Sequence, residues 1–403
     1  MKNNKEFLSP TIAKAIYIDE AELCLKKEVK EMTLENIPKR QFLWVSLFIA
    51  CAVAIASLGF WSFAESKLDK TVQEAYDLRM NGKADEAKTL LEQVISENAD
   101  NALAHYELAR TKYHMGLANI RELITSIEDI QHPIKKAIEN DPDNVIYRFF
   151  AGHLAFQAAY ISMQRNQPDV KEKVAKLCST YESVLKLKPD YHEAMLYLVE
   201  IYGILPEDMG GDKSKAEQYA KKLEEMDEIF GAKARAILML EEADYVGYWQ
   251  KVLEKHEGNA EVLRELGRTY LFKGQVEDGV KCFEEAVRID PGQNILILDL
   301  ARYHVYTGLG DKKLRDTAWP LAEKAFKRYL DSEPIPPQLK AFVLHMLSRI
   351  KRGMGDKEGA DELLEEVKNI DPYYSRATGV PTLDLFVPLG EISRNHRYLF
   401  LPY

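Results

Sequence analysis

Four arginines, Arg110, Arg268, Arg302 and Arg349, each fall at the ninth position of a predicted helix, and the last three belong to consecutive helix pairs. A guanidinium carries a rigid fork of donors that matches a carboxylate two bonds at a time. Arg264 lies close to this row in the sequence, and so do the aromatic residues Tyr106, Tyr113, Phe149, Phe156, Phe272 and Tyr306. Guanidinium forks beside aromatic faces suit the capture of an extended, partly acidic peptide or a chain terminus. The competing reading pairs each arginine inside the protein, for example with Glu265 or Asp299, where it only solvates a surface.

Residues for bond-making chemistry are not grouped in the same way. The chain contains no HExxH, no GxSxG and no GxxxxGK[ST]. Gly308-Leu309-Gly310 and Gly353-Met354-Gly355 read as turns between helices, because no strand precedes them. The nine histidines are scattered, and His192-Glu193 lacks a second ligand at helical spacing. Cys24, Cys51, Cys178 and Cys282 form no CxxC pair, which argues against a zinc cage or a redox motif. The expectation is a protein without catalytic residues, metal or cofactor.

The elements that would position the arginines repeat along the chain. The cleanest unit, residues 260–293, reads AEVLRELGRTYLFKGQVEDGVKCFEEAVRIDPGQ. Leu263, Leu266, Gly267 and Tyr270 share one face of a first helix, and Lys273-Gly274-Gln275 makes a turn. Gly279, Phe283 and Ala286 recur at helical spacing on a second helix, and Asp290-Pro291 ends it. Small residues at the crossing let two helices approach closely while bulky ones fill the gaps.

This unit resembles the tetratricopeptide repeat (TPR) family, in which such helical hairpins stack side by side. Further units start near Thr71, Ala102, Val145, His192, Gly231, Asn294 and Ala341, several of them stretched by insertions. The resemblance spans residues 71–372 and implies an all-α, right-handed superhelical solenoid. Its concave side would be lined by first helices, with the ninth position facing the groove where relatives hold extended peptides or partner helices. The Lys and Asn set of the family's carboxylate clamp is missing, so recognition of chaperone tails is not implied. The long turn over residues 205–212 is similar to one in extracytoplasmic bacterial members.

Ahead of the array, residues 42–64 read FLWVSLFIACAVAIASLGFWSFA, about 23 residues without a charge, long enough to cross a hydrocarbon layer of about 30 Å as one helix. Trp44 and Trp61 stand near its ends, where indoles prefer the interface. Lys26, Lys27, Lys30, Lys39 and Arg40 precede it, against Lys67, Lys70 and Arg79 after it, which favours a cytoplasmic N-terminus and an extracytoplasmic array. The formal charge of −10 argues against a nucleic-acid footprint. Residues 1–41 read either as a partner-docking helix or as a solvated tail. Residues 373–403 break the repeat and either cap the array or dock, in a partner or in the chain's own groove.

These features favour a membrane-anchored scaffold of the cytoplasmic (inner) membrane that holds protein partners in its groove to assemble a membrane or envelope complex. The alternative is a small-ligand-binding accessory of a transporter, which requires a closed apolar cavity between the arms of the superhelix.

Overall fold

In a computed structural model of the chain, residues 70–375 are described, apart from 118, 119, 241, 333 and 334. The expected membrane span, the leading tail and most of the trailing tail lie outside the described residues. Among those described there is no strand, and no helix long and apolar enough to cross a membrane.

Eight antiparallel helix pairs follow one another within residues 70–370. The first is α1 (residues 70–80) with α2 (Ala84–Glu97). Next come α3 (Ala102–Leu117) with α4 (Ile120–Asn140), and α5 (Val145–Gln164) with α6 (Val170–Leu187). The fourth pair is α7 (His192–Ile204) with α8 (Lys213–Met226); in the fifth, looser than the rest, α9 (Glu228–Leu238) packs mainly on α8 and α7 and α10 (Tyr245–Lys255) mainly on the helix that follows it. Then follow α11 (Ala260–Phe272) with α12 (Val276–Ile289), and α13 (Leu296–Gly310) with α14 (Arg315–Leu330). Last are α15 (Pro337–Gly353) and α16 (Lys357–Ile370), trailed by the single turn α17 (Pro372–Ser375).

Local chemistry sets many of the boundaries. Asn144, Asp227 and Asn259 each cap a helix by accepting from two backbone amides, which satisfies donors that the helix leaves over. Asp212 and Asp356 do the same with one amide each. Two starts differ from the sequence expectation. A 3-10 turn, Pro291–Ile295, delays α13 to Leu296, and Pro337 at the first turn opens α15 four residues before Ala341.

Small residues seat large ones where the pairs cross. A β-carbon on Gly267 would stand 2.6 Å from the Phe283 ring, so α11 and α12 meet there only because position 267 is bare. The two Gly-x-Gly runs have a related use beyond turning the chain. A β-carbon on Gly308 would lie 2.5 Å from the Trp319 indole, and one on Gly353 would collide with the indole's far edge. Trp319 of α14 is thus held between glycines of α13 and α15, and its Nε1 donates to the Val305 carbonyl at 3.3 Å. Both glycines belong to helices, not to the turns the sequence suggested: Gly308 is buried within α13 and Gly353 ends α15.

The first and last pairs touch. His114 of α3 meets Asp371, just beyond α16, at 2.8 Å, and both side chains are fully buried. Gln338 of α15 donates to the Arg79 carbonyl, and the Tyr373 hydroxyl donates to Asp85 at 2.5 Å. Gly82, with φ +75°, lies against the Ile370 carbonyl so tightly that a side chain would have no room. The two ends of the described array therefore meet.

Candidate functional site

First helices carry most of the buried polar side chains. On α3 and its neighbours, Arg79 donates to Glu107 at 2.6 Å and Arg110 to the other Glu107 oxygen at 3.0 Å, with all three side chains buried. One carboxylate thus bridges two guanidiniums. Tyr76 and Tyr106 add ring faces 5.5 and 5.4 Å from the Arg110 guanidinium. A buried charge of either sign costs several kcal/mol without partners, so this triad depends on all of its members.

The same arrangement recurs on α11 and α13. Arg268 donates to Glu265 at 3.1 Å and lies 3.7 Å from Asp299. Arg302 stands 3.7 Å from the second Asp299 oxygen. Asp299 is 0% exposed and both arginines are buried. Arg264, also buried, lies 3.3 Å from Glu265 and 3.6 Å from Glu261. The structure brings Arg264, Arg268 and Arg302 together, and it pairs them with carboxylates of their own array.

Arg349 is placed differently from the other three ninth-position arginines. It is exposed, on the rim of a cavity of about 410 Å³. Val305 and Leu309, one and two turns along α13 from Arg302, line it together with Trp319 and Met346. His345, Ser348 and Arg352 supply further polar groups, Arg352 being bonded to Asp361. Although Arg349 reaches solvent, the apolar walls around its stem desolvate it and pull its pKa below the ordinary arginine value. Ser375, where the described chain stops, lines the same cavity.

The aromatic residues divide. Tyr106, Tyr113 and Phe149 are buried. Tyr106 packs on Tyr147 with ring centres 4.7 Å apart, Tyr113 meets His153 at 2.9 Å through its hydroxyl, and Phe149 packs on Tyr191 at 4.7 Å. Their rings stabilise the core between pairs and are closed to a ligand, unlike the groove-lining place expected for them. Phe156 is half-buried against Tyr197. Tyr306 is 52% exposed with the Arg302 guanidinium 5.8 Å from its ring centre, and Phe272, at the end of α11, is 68% exposed. The open aromatic surface is accordingly that of Phe272 and Tyr306.

Sequence reasoning missed Glu107 and Asp371. Each looks like an ordinary acidic residue on a helix or past its end, and the partner that explains it comes from another repeat. Glu107 sits three residues before Arg110, a weak signal of pairing that could have been read. Asp371 gives no such signal, because His114 is 257 residues away. Among the described residues no group of three or more His, Cys, Asp or Glu side chains could hold a metal ion.

Sequence descriptions of the tetratricopeptide repeat match residues 72–116, 260–293 and 343–374. A comparison with curated proteins finds no match. Among solved structures, a tetratricopeptide repeat protein from Parabacteroides merdae is 13% identical, with 76% of this chain and 93% of that one covered and a TM-score of 0.32. TTC0263, a TPR protein of Thermus thermophilus, is 19% identical, with 56% and 92% covered and a TM-score of 0.32. MamA is 17% identical, with 53% and 93% covered and a TM-score of 0.27. The three matched segments coincide with the α1–α2 pair running into α3, the α11–α12 pair and the α15–α16 pair: the chain carries repeats of the tetratricopeptide repeat superfamily.

Proposed function

We propose that this protein is a scaffold, without catalytic activity of its own, that is anchored in a membrane by residues 42–64 and holds a protein partner against the surface running from Phe272 and Tyr306 to the Arg349 cavity. The observation that carries the reading is the cavity itself. Arg349 is the ninth-position arginine left open to solvent, and it stands beside apolar walls of Leu309, Trp319 and Met346. A guanidinium over apolar walls suits a segment that alternates carboxylates with large apolar side chains. The buried carboxylates Glu265 and Asp299 hold Arg264, Arg268 and Arg302 in place behind that surface, so those three act as fixed supports for it.

Anchoring and side of the membrane come from the charge-free run and its flanking lysines, with the array on the extracytoplasmic face. The partner is a subunit of a membrane or envelope complex, because a tethered array meets chiefly what shares its membrane surface.

The test is crosslinking and pull-down from detergent-solubilised membranes. The native chain is expected to retain a defined partner set that Arg349→Glu loses and Arg349→Lys keeps in part. A partner set unchanged by Arg349→Glu and by Tyr306→Ala would overturn the reading. Recovery of a chain lacking 42–64 in the membrane fraction would overturn the anchor.

A further inference from the structure

We propose that the cavity lined by α4, α5 and α6 is a second protein-binding site, and that its occupant is a partner helix with two carboxylates about two turns apart and apolar residues between them. The site rests on the scaffold reading only in taking a protein as its occupant, and it shares no residue with the Arg349 cavity.

The cavity measures about 730 Å³. Two of its three helices, α4 and α6, are second helices, so it stands apart from the groove of first helices where the sequence places the partner. Ile134 and Ala155 are the buried part of its lining, and Ala151 is half-buried one turn before Ala155. Alanine β-carbons allow another helix to come close. An extended segment would turn backbone donors and acceptors toward Ile134, Ala151 and Ala155, whose side chains offer no hydrogen bond. A helix satisfies its own backbone and needs only apolar side chains there.

Charge narrows the choice further. Lys135, Arg148 and Lys176 line the cavity against Glu128 and Glu139, in a chain with a formal charge of −10. Glu139 is already held by Lys136 at 2.7 Å and by Lys135 at 3.8 Å. Among the described residues no carboxylate pairs with Arg148 or Lys176, and Glu128 stays beyond ion-pair distance of both. Arg148 is half-buried; its Nε and Nη2 donate to the Pro142 carbonyl at 2.9 and 2.6 Å, which leaves Nη1 for an incoming acceptor. Ser179 and Thr180 each donate to the Lys176 carbonyl at 2.8 Å, and Ser183 donates to the Thr180 carbonyl at 2.7 Å. These hydroxyls bring lone pairs to the lining but no charge to compete for the two cations.

The spacing of those cations sets the spacing of the acids. A β-carbon on Gly152 would stand 2.6 Å from the Tyr181 ring, which fixes the register of the antiparallel α5 and α6. Arg148 lies four residues before Gly152 and Lys176 five before Tyr181, so they lie in opposite directions along the pair. At 1.5 Å per residue their backbones stand roughly 13 Å apart along the helices. Acids seven residues apart on one helix share a face and stand roughly 10 Å apart, and the flexible lysine stem covers the rest.

The experiment uses the full chain in nanodiscs of a zwitterionic lipid, with fluorescence anisotropy of a labelled helical peptide. The peptide carries glutamates seven residues apart with leucine and alanine between them; its control carries lysines in their place. Saturable binding of the glutamate peptide and none of the control is expected. Arg148→Glu and Lys176→Glu should each weaken binding roughly tenfold, the effect of one charge-assisted bond, and Ala151→Leu should abolish it by filling the space. Lys176 is exposed and its side chain makes no bond among the described residues, so Lys176→Glu decides the matter even if loss of the Pro142 bonds unsettles Arg148→Glu. Absence of saturable binding, equal binding of the lysine peptide, or indifference to Lys176→Glu would each overturn the proposal. Displacement by dodecanoate more readily than by unlabelled peptide would overturn it in favour of a small amphiphile. The peptide bound as well by Arg349→Glu, with partner retention indifferent to that change, removes the Arg349 reading and leaves this site. Retention that depends on Arg349 without peptide binding removes this site alone.

Discussion

His114 and Asp371 stand 257 residues apart in sequence and 2.8 Å apart in space, both shut away from water. Tyr374 lies over the same imidazole, with ring centres 5.9 Å apart, and its hydroxyl is fully buried, with its pKa pushed up by burial first and by Asp371 second. The contact fastens the third helix to the end of the last pair. Replacing Asp371 with Ala takes away the hydrogen-bond partner of a buried imidazole, and it is expected to cost about 1–3 kcal/mol. Urea unfolding of the two forms measures it. Spin labels at Lys88 and Lys357 would show a widened distance distribution if the seam opens before the rest unfolds; an unchanged distribution together with unchanged stability would count against the seam as a structural fastening.

The Trp319 seat gives a second prediction. Gly353→Ala drives a methyl group into the indole, and Gly308→Ala does so from the other side. Overpacking of this kind costs about 1–3 kcal/mol. The double variant is expected to cost more than the sum, since a shift of the indole away from one methyl group drives it toward the other. Chemical denaturation of the two single variants and the double variant decides it.

Stability should fall in mild acid. His304 is buried, and burial holds its pKa below the ordinary histidine value; His105 is shifted the same way, chiefly by burial, against a hydrogen bond to the Ala99 carbonyl. The unfolded chain therefore binds these protons more readily than the folded one. Their contribution is complete above the unfolded value of about 6.5 and is lost as the pH drops through the window beneath it. Melting temperatures taken from about pH 8 to about pH 5 should decline, and His304→Gln should flatten the slope.

The two thiols of the array should be sluggish. Burial pushes Cys178 and Cys282 each up to about 11, with Glu182 and Asp278 respectively adding to the rise. A thiol reacts as its thiolate, so little of either is reactive near neutral pH. In a chain whose Cys24 and Cys51 are replaced by Ser, titration with a disulfide reagent at neutral pH is expected to proceed far more slowly than after addition of denaturant. Equal rates would contradict the burial.

Much of the fold was legible because a TPR hairpin advertises itself locally. Gly267 over Phe283 needs only the spacing of one helix against the next, and the sequence carries that spacing openly. The starts of α13 and α15 were less visible, since a proline-led turn and a proline first residue shift them without changing the apolar pattern. The site was legible in part. The ninth-position arginines were found, and pairing with Glu265 and Asp299 was one of two readings offered for them. Which arginine stays open could not be read, because exposure of Arg349 depends on how α13, α14 and α15 lie together. The closure through His114 and Asp371 has no local signature at all.

Because the last helix pair returns to the first, the number of pairs is fixed by geometry. An open row of repeats can gain or lose a member and merely become longer or shorter. Here a ninth pair would have nowhere to stand and a missing one would leave a gap that Gly82 and Ile370 could not bridge. An added or deleted helix pair would have to break the contacts of His114 with Asp371 and of Gly82 with Ile370.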